Sequence, residues 1–207
     1  MRTPKFLLAA TLLAAFSAHA QVTPALTGNT SSFLSLSSSG LSSGGTQVAT
    51  LTGGTVYNND RPFADIPFGG VFQNQFLAAG PSSGNVATLN FLNGGVGYVS
   101  FLWGSPDMYN ALTVTTTAGT QSFGASGLGF SVTNGDQGAS QYVQFTAIGT
   151  SLITALSFTD IPSTDAFETA NFSVTQPVPE PETYALMLAG LGALGFVSRR
   201  RRNPLAA

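Results

Sequence analysis

The chain has no cysteine, a single histidine and few charged side chains. Charged residues make up 8% of its 207 residues, against about 25% in an ordinary soluble domain. Without cysteine there can be no disulfide and no thiol chemistry, and the one histidine, His19, lies near the start. Catalysis by histidine, cysteine or lysine, and zinc sites built from histidine and cysteine, are therefore excluded from the central part of the chain.

Positive charge is almost absent between the two ends of the chain. Of the seven basic residues, six lie near the ends and only Arg61 lies between them. Residues 21–176 thus combine one basic residue with seven acidic ones, which gives a formal charge of −6. A nucleic-acid-binding surface needs a basic footprint, so we expect no nucleic-acid partner. The chemistry that remains open is that of carboxylates, hydroxyls and amides.

Residues 1–20 have the three parts of a secretory signal peptide. Two positive charges precede an apolar run over residues 6–16, and the small residues Ala18 and Ala20 close the segment. Signal peptidase recognises this order of charge, apolar core and small residues. The sequence therefore predicts an N-terminal signal helix, cleaved so that the exported protein begins at Gln21.

The other end of the chain predicts a membrane-spanning helix behind a stiff linker. The linker, residues 177–182, is rich in proline, which resists both helix and sheet. Residues 183–198 are uncharged and mostly apolar. As a helix they would extend about 24 Å, which suffices where the bilayer thins. The basic tail, residues 199–207, should stay in the cytoplasm.

Together, the linker, the apolar helix and the basic tail resemble the PEP-CTERM sorting signal of bacterial exosortase substrates. The resemblance implies recognition by a membrane-embedded, cysteine-dependent exosortase that removes the helix. It also implies transient residence in the inner membrane, followed by location at the cell surface or outside the cell. The alternative is a permanent single-pass membrane protein. The residues that carry the resemblance are Pro179, Glu180, Pro181, Arg199, Arg200, Arg201 and Arg202.

Residues 46–176 alternate short β-rich segments with turns rich in glycine, proline and asparagine. Segments such as 96–103 and 110–116 have strand-like patterns, and none shows a sustained helical period with caps. The pattern predicts an all-β fold, an antiparallel β-sandwich that is jelly-roll-like, with eight to ten strands. Asn134-Gly135 after residues 130–132 indicates a hairpin.

Two further expectations concern the segment that precedes residues 46–176 and the core of this β-rich region. The preceding stretch, residues 21–45, is rich in serine, threonine and glycine, and we expect a loosely ordered leader there. Alternation along the strands predicts a set of core residues. They are Leu112, Val114, Val143, Phe145, Leu156 and Phe158.

Three small polar clusters are the candidates for binding. In the loop 58–65, Asp60 and Asp65 are candidate calcium ligands because calcium prefers carboxylate oxygens; the alternative is an ordinary polar loop with Asx turns. The other two clusters offer groups that can bind a sugar hydroxyl, or that simply build turns. These residues are Asp107, Tyr109 and Asn110 in one cluster, and Glu168 and Asn171 in the other.

The sequence thus predicts a non-enzymatic surface or extracellular-matrix protein with a structural or adhesive role. Segments 97–110 and 166–168 are similar to a group of exosortase-dependent surface proteins, and this resemblance implies no known enzymatic activity. The alternative is a lectin-like carbohydrate-binding protein or a carbohydrate-active enzyme, which needs two carboxyls about 5–10 Å apart. We expect no cofactor apart from the candidate calcium. The expected partners are signal peptidase, exosortase, the membrane and an exopolysaccharide.

Overall fold

Strands form where apolar and polar side chains alternate with a period of two. In the segment Asn110–Thr116, every second residue is buried, including Leu112 and Val114. Thr113 and Thr115 occupy positions between them, and β-branched side chains favour the extended backbone. One face of such a strand can therefore enter a core while the other remains partly solvated.

A computed structural model describes residues 21–28, 31–161, 164–175 and 187–194. Apart from the last range, these residues form two antiparallel sheets. The strands are β1 (Val22–Ala25), β2 (Ser35–Ser37), β3 (Gly40–Ser43), β4 (Thr46–Thr52), β5 (Thr55–Tyr57), β6 (Phe76–Ala79), β7 (Ala87–Phe91), β8 (Tyr98–Trp103), β9 (Asn110–Thr116), β10 (Gly119–Gly124), β11 (Gln141–Ala147), β12 (Ile153–Asp160) and β13 (Phe167–Thr175). The helical pieces are α1 (Ala125–Leu128), the 3₁₀ turns Phe72–Asn74, Pro81–Ser83 and Gln137–Ala139, and residues 187–194.

The two sheets form the predicted all-β sandwich. The six-stranded sheet has the order β1-β11-β8-β13-β6-β5, and the seven-stranded sheet has the order β10-β9-β12-β7-β4-β3-β2. From β6 to β13 the chain crosses from one sheet to the other at every connection except the β9–β10 hairpin. Neighbouring strands are therefore mostly distant in sequence, and no short segment of the chain can build this core alone.

An aromatic cluster fills the space between the sheets. The Trp103 and Phe167 rings have centroids 4.2 Å apart, and Phe101 meets Phe158 edge-to-face at 5.4 Å. Such ring pairs add to the large apolar area that aromatic residues bury. The six predicted core residues are all fully buried, which confirms that prediction: Leu112, Val114, Val143, Phe145, Leu156 and Phe158.

A smaller apolar cluster lies on the outer face of the six-stranded sheet. Phe76 in β6 and Ala170 in β13 belong to it. Residues 58–75, which we call the covering loop, contribute Ala64 and the partly buried Phe63 and Ile66. The covering loop therefore shields part of a sheet face that would otherwise meet water.

The expectation of a loosely ordered leader over residues 21–45 is wrong. This stretch contains β1, β2 and β3, and β1 pairs with β11 in the first sheet. Its few apolar side chains, among them Val22, Leu36 and Leu41, are buried in the main core. The serines and glycines between them hid this strand pattern, because composition does not show pairing with strands far along the chain.

The predicted hairpin at Asn134-Gly135 is also absent, and the sandwich has more strands than the expected eight to ten. Residues 130–132 form no strand, and Asn134 makes only an isolated bridge with Asp107. The Gly135 amide donates instead to the Pro106 carbonyl at 3.1 Å. This tertiary contact ties the segment to the turn before β9 and takes the place of a local strand pair.

Several predicted segments at the chain ends lie outside the described residues. These are the signal helix over 1–20, the linker 177–182 and the basic tail 199–207. Of the predicted membrane helix 183–198, the structure describes 187–194, which is helical and exposes its leucines. Within the described ranges, no helix has both the length and the apolar character that crossing a membrane requires.

We expect Phe145→Ala to destabilise the β-sandwich strongly. Phe145 is fully buried, and its ring lies 5.1 Å from Phe123 and 6.3 Å from Phe101. A buried Phe→Ala change costs about 3–5 kcal/mol of unfolding free energy. Urea unfolding of the purified variant measures this loss. Phe68→Ala is the matched control, since Phe68 is 66% exposed; equal losses in both variants would contradict the core assignment.

Candidate functional site

Acidic residues gather at one end of the sandwich. This end is built from the start of β9, the end of β12, the start of β13 and the covering loop. It holds five of the seven acidic residues found between positions 21 and 176. The five are Asp65, Asp107, Asp160, Asp165 and Glu168.

Asn110 organises one side of this end. The register of β9 and β12 places it opposite Asp160, and its Nδ2 donates to Asp160 Oδ1 at 3.1 Å. Its Oδ1 accepts the backbone amide of Asp107 at 2.6 Å. The side chain is only 1% exposed. Asn110 therefore fixes the turn before β9, which decides where Asp107 lies.

Glu168 occupies the other side, on the outer face of β13. The covering loop buries it to 4% exposure. Its Oε2 accepts the Ser105 hydroxyl at 2.6 Å, and its Oε1 accepts the Asp65 amide at 3.3 Å. Two chain segments far apart in sequence are thus joined through one carboxyl group.

Between these groups lies a cavity of about 270 Å³, which we call the acidic pocket. A larger cavity of about 360 Å³ lies elsewhere, but its lining contains a single acidic residue, Asp136. Four acidic residues line the acidic pocket, more than line this larger cavity. Its lining residues are Arg61, Pro62, Phe63, Ala64, Asp65, Ser105, Asp107, Tyr109, Asn134, Gly135, Gln137, Asp165, Ala166 and Glu168.

Burial keeps several of these groups protonated to unusually high pH. Desolvation raises the pKa of Glu168 to about 8, although hydrogen bonds from Ser105 and the Asp65 amide oppose the shift. Burial likewise raises the pKa of Asp160 to about 7, and the nearby Asp165 and Asp107 add to the shift. The pKa of Asp107 is also raised by burial, against a hydrogen bond from Tyr109. At neutral pH the site is therefore less negative than its five acids suggest.

The structure brings together three of the five predicted ligand-binding residues. Asp107, Tyr109 and Glu168 line the acidic pocket. Asn110 lies behind it and holds the turn, as described above. Asn171 lies elsewhere: its Oδ1 accepts the Phe72 amide at 2.7 Å, and its Nδ2 donates to the Gly70 carbonyl at 2.8 Å and the Tyr142 hydroxyl at 2.7 Å. These contacts tie the covering loop to β13.

The two candidate calcium ligands of the covering loop have different positions. Asp65 lines the acidic pocket, whereas Asp60 does not. Asp60 Oδ1 accepts the Ile66 amide at 2.9 Å, a loop-forming contact. The guanidinium of Arg61 lies 4.9 Å from the centre of the Tyr57 ring. In the ranges that the structure covers, no three or more histidine, cysteine, aspartate or glutamate side chains are grouped to hold a metal ion.

Three residues of this end were missed by the sequence reasoning: Ser105, Asp160 and Asp165. Asp165 accepts two hydrogen bonds from Ser82, one from its amide at 3.0 Å and one from its hydroxyl at 2.6 Å. The only local signal was an acidic residue at each end of the β12–β13 connection. Their importance comes from partners 50 or more residues away in the chain.

Comparison with known proteins identifies the C-terminal segment. A family model, the PEP-CTERM protein-sorting motif, matches residues 177–202. The chain therefore carries a PEP-CTERM sorting motif, as the linker, apolar segment and arginines predicted. The motif implies an exosortase as processing partner and export to the cell envelope or surface. No curated protein and no solved structure matches the chain.

The raised pKa of Glu168 predicts a pH-dependent stability. Its pKa rises from 4.5 to about 8 on folding, so between these pH values the folded state holds a proton that the unfolded state has lost. Stability should therefore be highest below about pH 4.5 and fall as pH rises towards 8. Glu168→Gln should flatten this slope, because the amide does not titrate.

Unfolding midpoints in urea between pH 4 and 9 measure the effect. Asp136→Asn is the control, since Asp136 is absent from the lining of the acidic pocket, although its neighbours Gly135 and Gln137 belong to it, and it caps the 3₁₀ turn Gln137–Ala139. A slope that persists in Glu168→Gln at its wild-type size would contradict the assignment.

Proposed function

We propose that this protein is a non-enzymatic component of the cell surface or extracellular matrix, with a structural or adhesive role. Signal peptidase removes residues 1–20, residues 183–198 hold the exported chain in the inner membrane, and an exosortase then releases or transfers it. The observation that carries the proposal is the sorting motif over residues 177–202. The β-sandwich is the part that remains after processing and acts outside the cell.

The physical character of the motif supports processing rather than permanent anchoring. A simple anchor needs only an apolar helix and a basic cluster to orient it. The triplet Pro179-Glu180-Pro181 adds nothing to either function, but proline disfavours helix and sheet, so the sequence predicts an extended segment there. An extended segment beside the membrane is what a processing enzyme can bind.

Changing Pro179-Glu180-Pro181 to Ala-Gln-Ala should distinguish processing from permanent anchoring. The apolar segment and the arginines are unchanged, so membrane insertion should persist. We expect full-length protein to accumulate in the inner membrane and the released form to disappear, as measured by fractionation and immunoblotting. Deleting the host exosortase should reproduce this result with the wild-type chain.

The matched control is Pro204→Ala, because Pro204 lies beyond the matched residues. It should be processed like the wild type. A permanent anchor predicts instead that the triplet variant and the wild type have the same size and location. An uncleaved wild-type protein in a host with an active exosortase would also overturn the proposal.

The contacts of Gln21 are compatible with its role as the first residue of the exported protein. Its backbone nitrogen donates to Gln121 Oε1 at 2.8 Å, and its Nε2 donates to the Ala118 carbonyl at 2.9 Å. An α-ammonium group produced by cleavage can make the first of these bonds equally well. The sandwich therefore accepts a chain that begins at this position.

We expect mass spectrometry of the exported protein to find Gln21 at its N-terminus. Replacing Ala20 with a bulky residue should block cleavage, because signal peptidase requires a small side chain there. The same replacement at His19 is the control and should be tolerated. An N-terminus upstream of Ala18 would contradict the predicted site.

A lectin-like, carbohydrate-binding role is the second candidate. The strands β6–β13 support a jelly-roll interpretation, with orders β6-β13-β8-β11 and β7-β12-β9-β10 in the two sheets, and jelly rolls occur among lectin domains. The acidic pocket supports it independently, since its walls offer carboxyl, hydroxyl and amide groups. Such groups fix the orientation of a polyhydroxylated ligand.

If the acidic pocket binds sugar, Asp107→Asn should weaken retention on the host's exopolysaccharide. Losing a charged hydrogen-bond partner costs about 1.5–3 kcal/mol, which is roughly tenfold or more in affinity. Affinity electrophoresis measures the change. Asp136→Asn should bind like the wild type, and equal retention of all three proteins would remove this candidate.

A further inference from the structure

One carboxylate oxygen at the acidic end has no hydrogen-bond partner of normal geometry among the described residues. Asp160 is 7% exposed, and its Oδ1 accepts a hydrogen bond from Asn110. Its Oδ2 is buried and makes no hydrogen bond of normal geometry to the described residues, although the Phe167 amide acts on the Asp160 carboxylate and opposes the rise of its pKa. A buried polar atom without a partner is costly, so this oxygen marks a place where a further group is expected.

The backbone at Gly80 makes room around the same oxygen. A Cβ built on Gly80 would lie 2.9 Å from Asp160 Oδ2 and 2.5 Å from Asp165 Oδ1. Gly80 has a φ of +137°, a conformation that side chains with a Cβ rarely adopt. Two carboxylate oxygens therefore converge on the Gly80 backbone, at a position where no side chain would fit.

No positive side chain balances this convergence in the part of the chain that the structure describes. Arg61, its one cationic side chain, lies over the Tyr57 ring. Ser82 holds Asp165 through two hydrogen bonds, which fixes its carboxylate near Asp160. Like charges this close repel unless a proton or a cation lies between them.

We propose that Asp160 and Asp165 bind a divalent cation of the calcium class. Calcium takes six to eight oxygen ligands, which include amide and backbone carbonyls and water as well as carboxylates. Asn85 lines the same cavity of about 200 Å³ as Asp160 and Gly80, whereas Asp165 lines the acidic pocket, and we propose that Asn85 contributes a neutral oxygen.

The donor chemistry selects the class of cation. Oxygen donors without histidine or cysteine suit calcium or magnesium rather than zinc or copper. Calcium tolerates an irregular shell, whereas magnesium demands near-octahedral geometry. The site is separate from the pair Asp60 and Asp65 and from the sorting motif. It would join the end of β12 to the segment before β13, and so stabilise the end of the sandwich that holds the acidic pocket.

The test measures thermal unfolding of the purified protein in EDTA and in increasing calcium chloride. A cation that binds only the folded state raises the midpoint with the logarithm of its concentration. We expect this rise in the wild type, a smaller one with magnesium, and none in Asp160→Asn. Asp60→Asn is the matched control and should respond like the wild type.

Equilibrium dialysis with calcium provides a second measurement, and its result for the wild type does not depend on any variant being folded. It should find one calcium per wild-type chain, and none in Asp165→Asn. The proposal is overturned if the wild type binds no calcium, or if Asp160→Asn keeps the shift. A shift lost in Asp60→Asn but kept in Asp160→Asn would place the cation in the covering loop. An Asp160→Asn variant that is more stable than the wild type, with calcium affecting neither, would show a shared proton instead.

Discussion

The alternation of side chains along β13 is the constraint on which the acidic end depends. Phe167 points into the aromatic core, and the next residue, Glu168, must therefore point to the outer face of the sheet. That face would ordinarily meet water. Because the covering loop packs over it through Ala64 and its neighbours, Glu168 is buried with a hydroxyl and an amide as its partners. The raised pKa and the walls of the acidic pocket both follow from this burial.

The acidic end is a polar network in which protons and neutral hydrogen bonds replace missing positive charge. Asn110 forms hydrogen bonds with both the Asp107 amide and the Asp160 carboxylate, and the Ser105 hydroxyl donates a hydrogen bond to Glu168. A buried polar group without a partner is costly. Among the described residues of this end, Asp160 Oδ2 and Gln137 Oε1 are buried without a hydrogen-bond partner. The Asp160 oxygen lies near Asp165, whose own oxygens accept hydrogen bonds from Ser82.

The sorting signal and the sandwich differ in how their function is encoded. The signal is a short linear segment, so its triplet, apolar run and arginines can be read in order along the chain. Its function depends on an enzyme that recognises a peptide segment, and the family match agrees with that interpretation. The sandwich assembles its site from the covering loop, the turn before β9 and the ends of β12 and β13. No contiguous stretch of sequence contains it.

The sequence by itself determined the sorting signal, the all-β class and the buried faces of β9, β11 and β12, because alternation and turn residues are local properties. It could not show that residues 21–45 join the sheets, because their few apolar residues are recognisable as core residues only once the strands pair with β4 and β11. It named Asp107, Tyr109 and Glu168 as candidates, but only the fold placed them in one cavity. The environment of Asp160 and Asp165 depends entirely on tertiary structure, because it is formed by Asn110, Gly80 and Ser82. Burial and convergence of charge are properties of partners distant in sequence, and no local pattern encodes them.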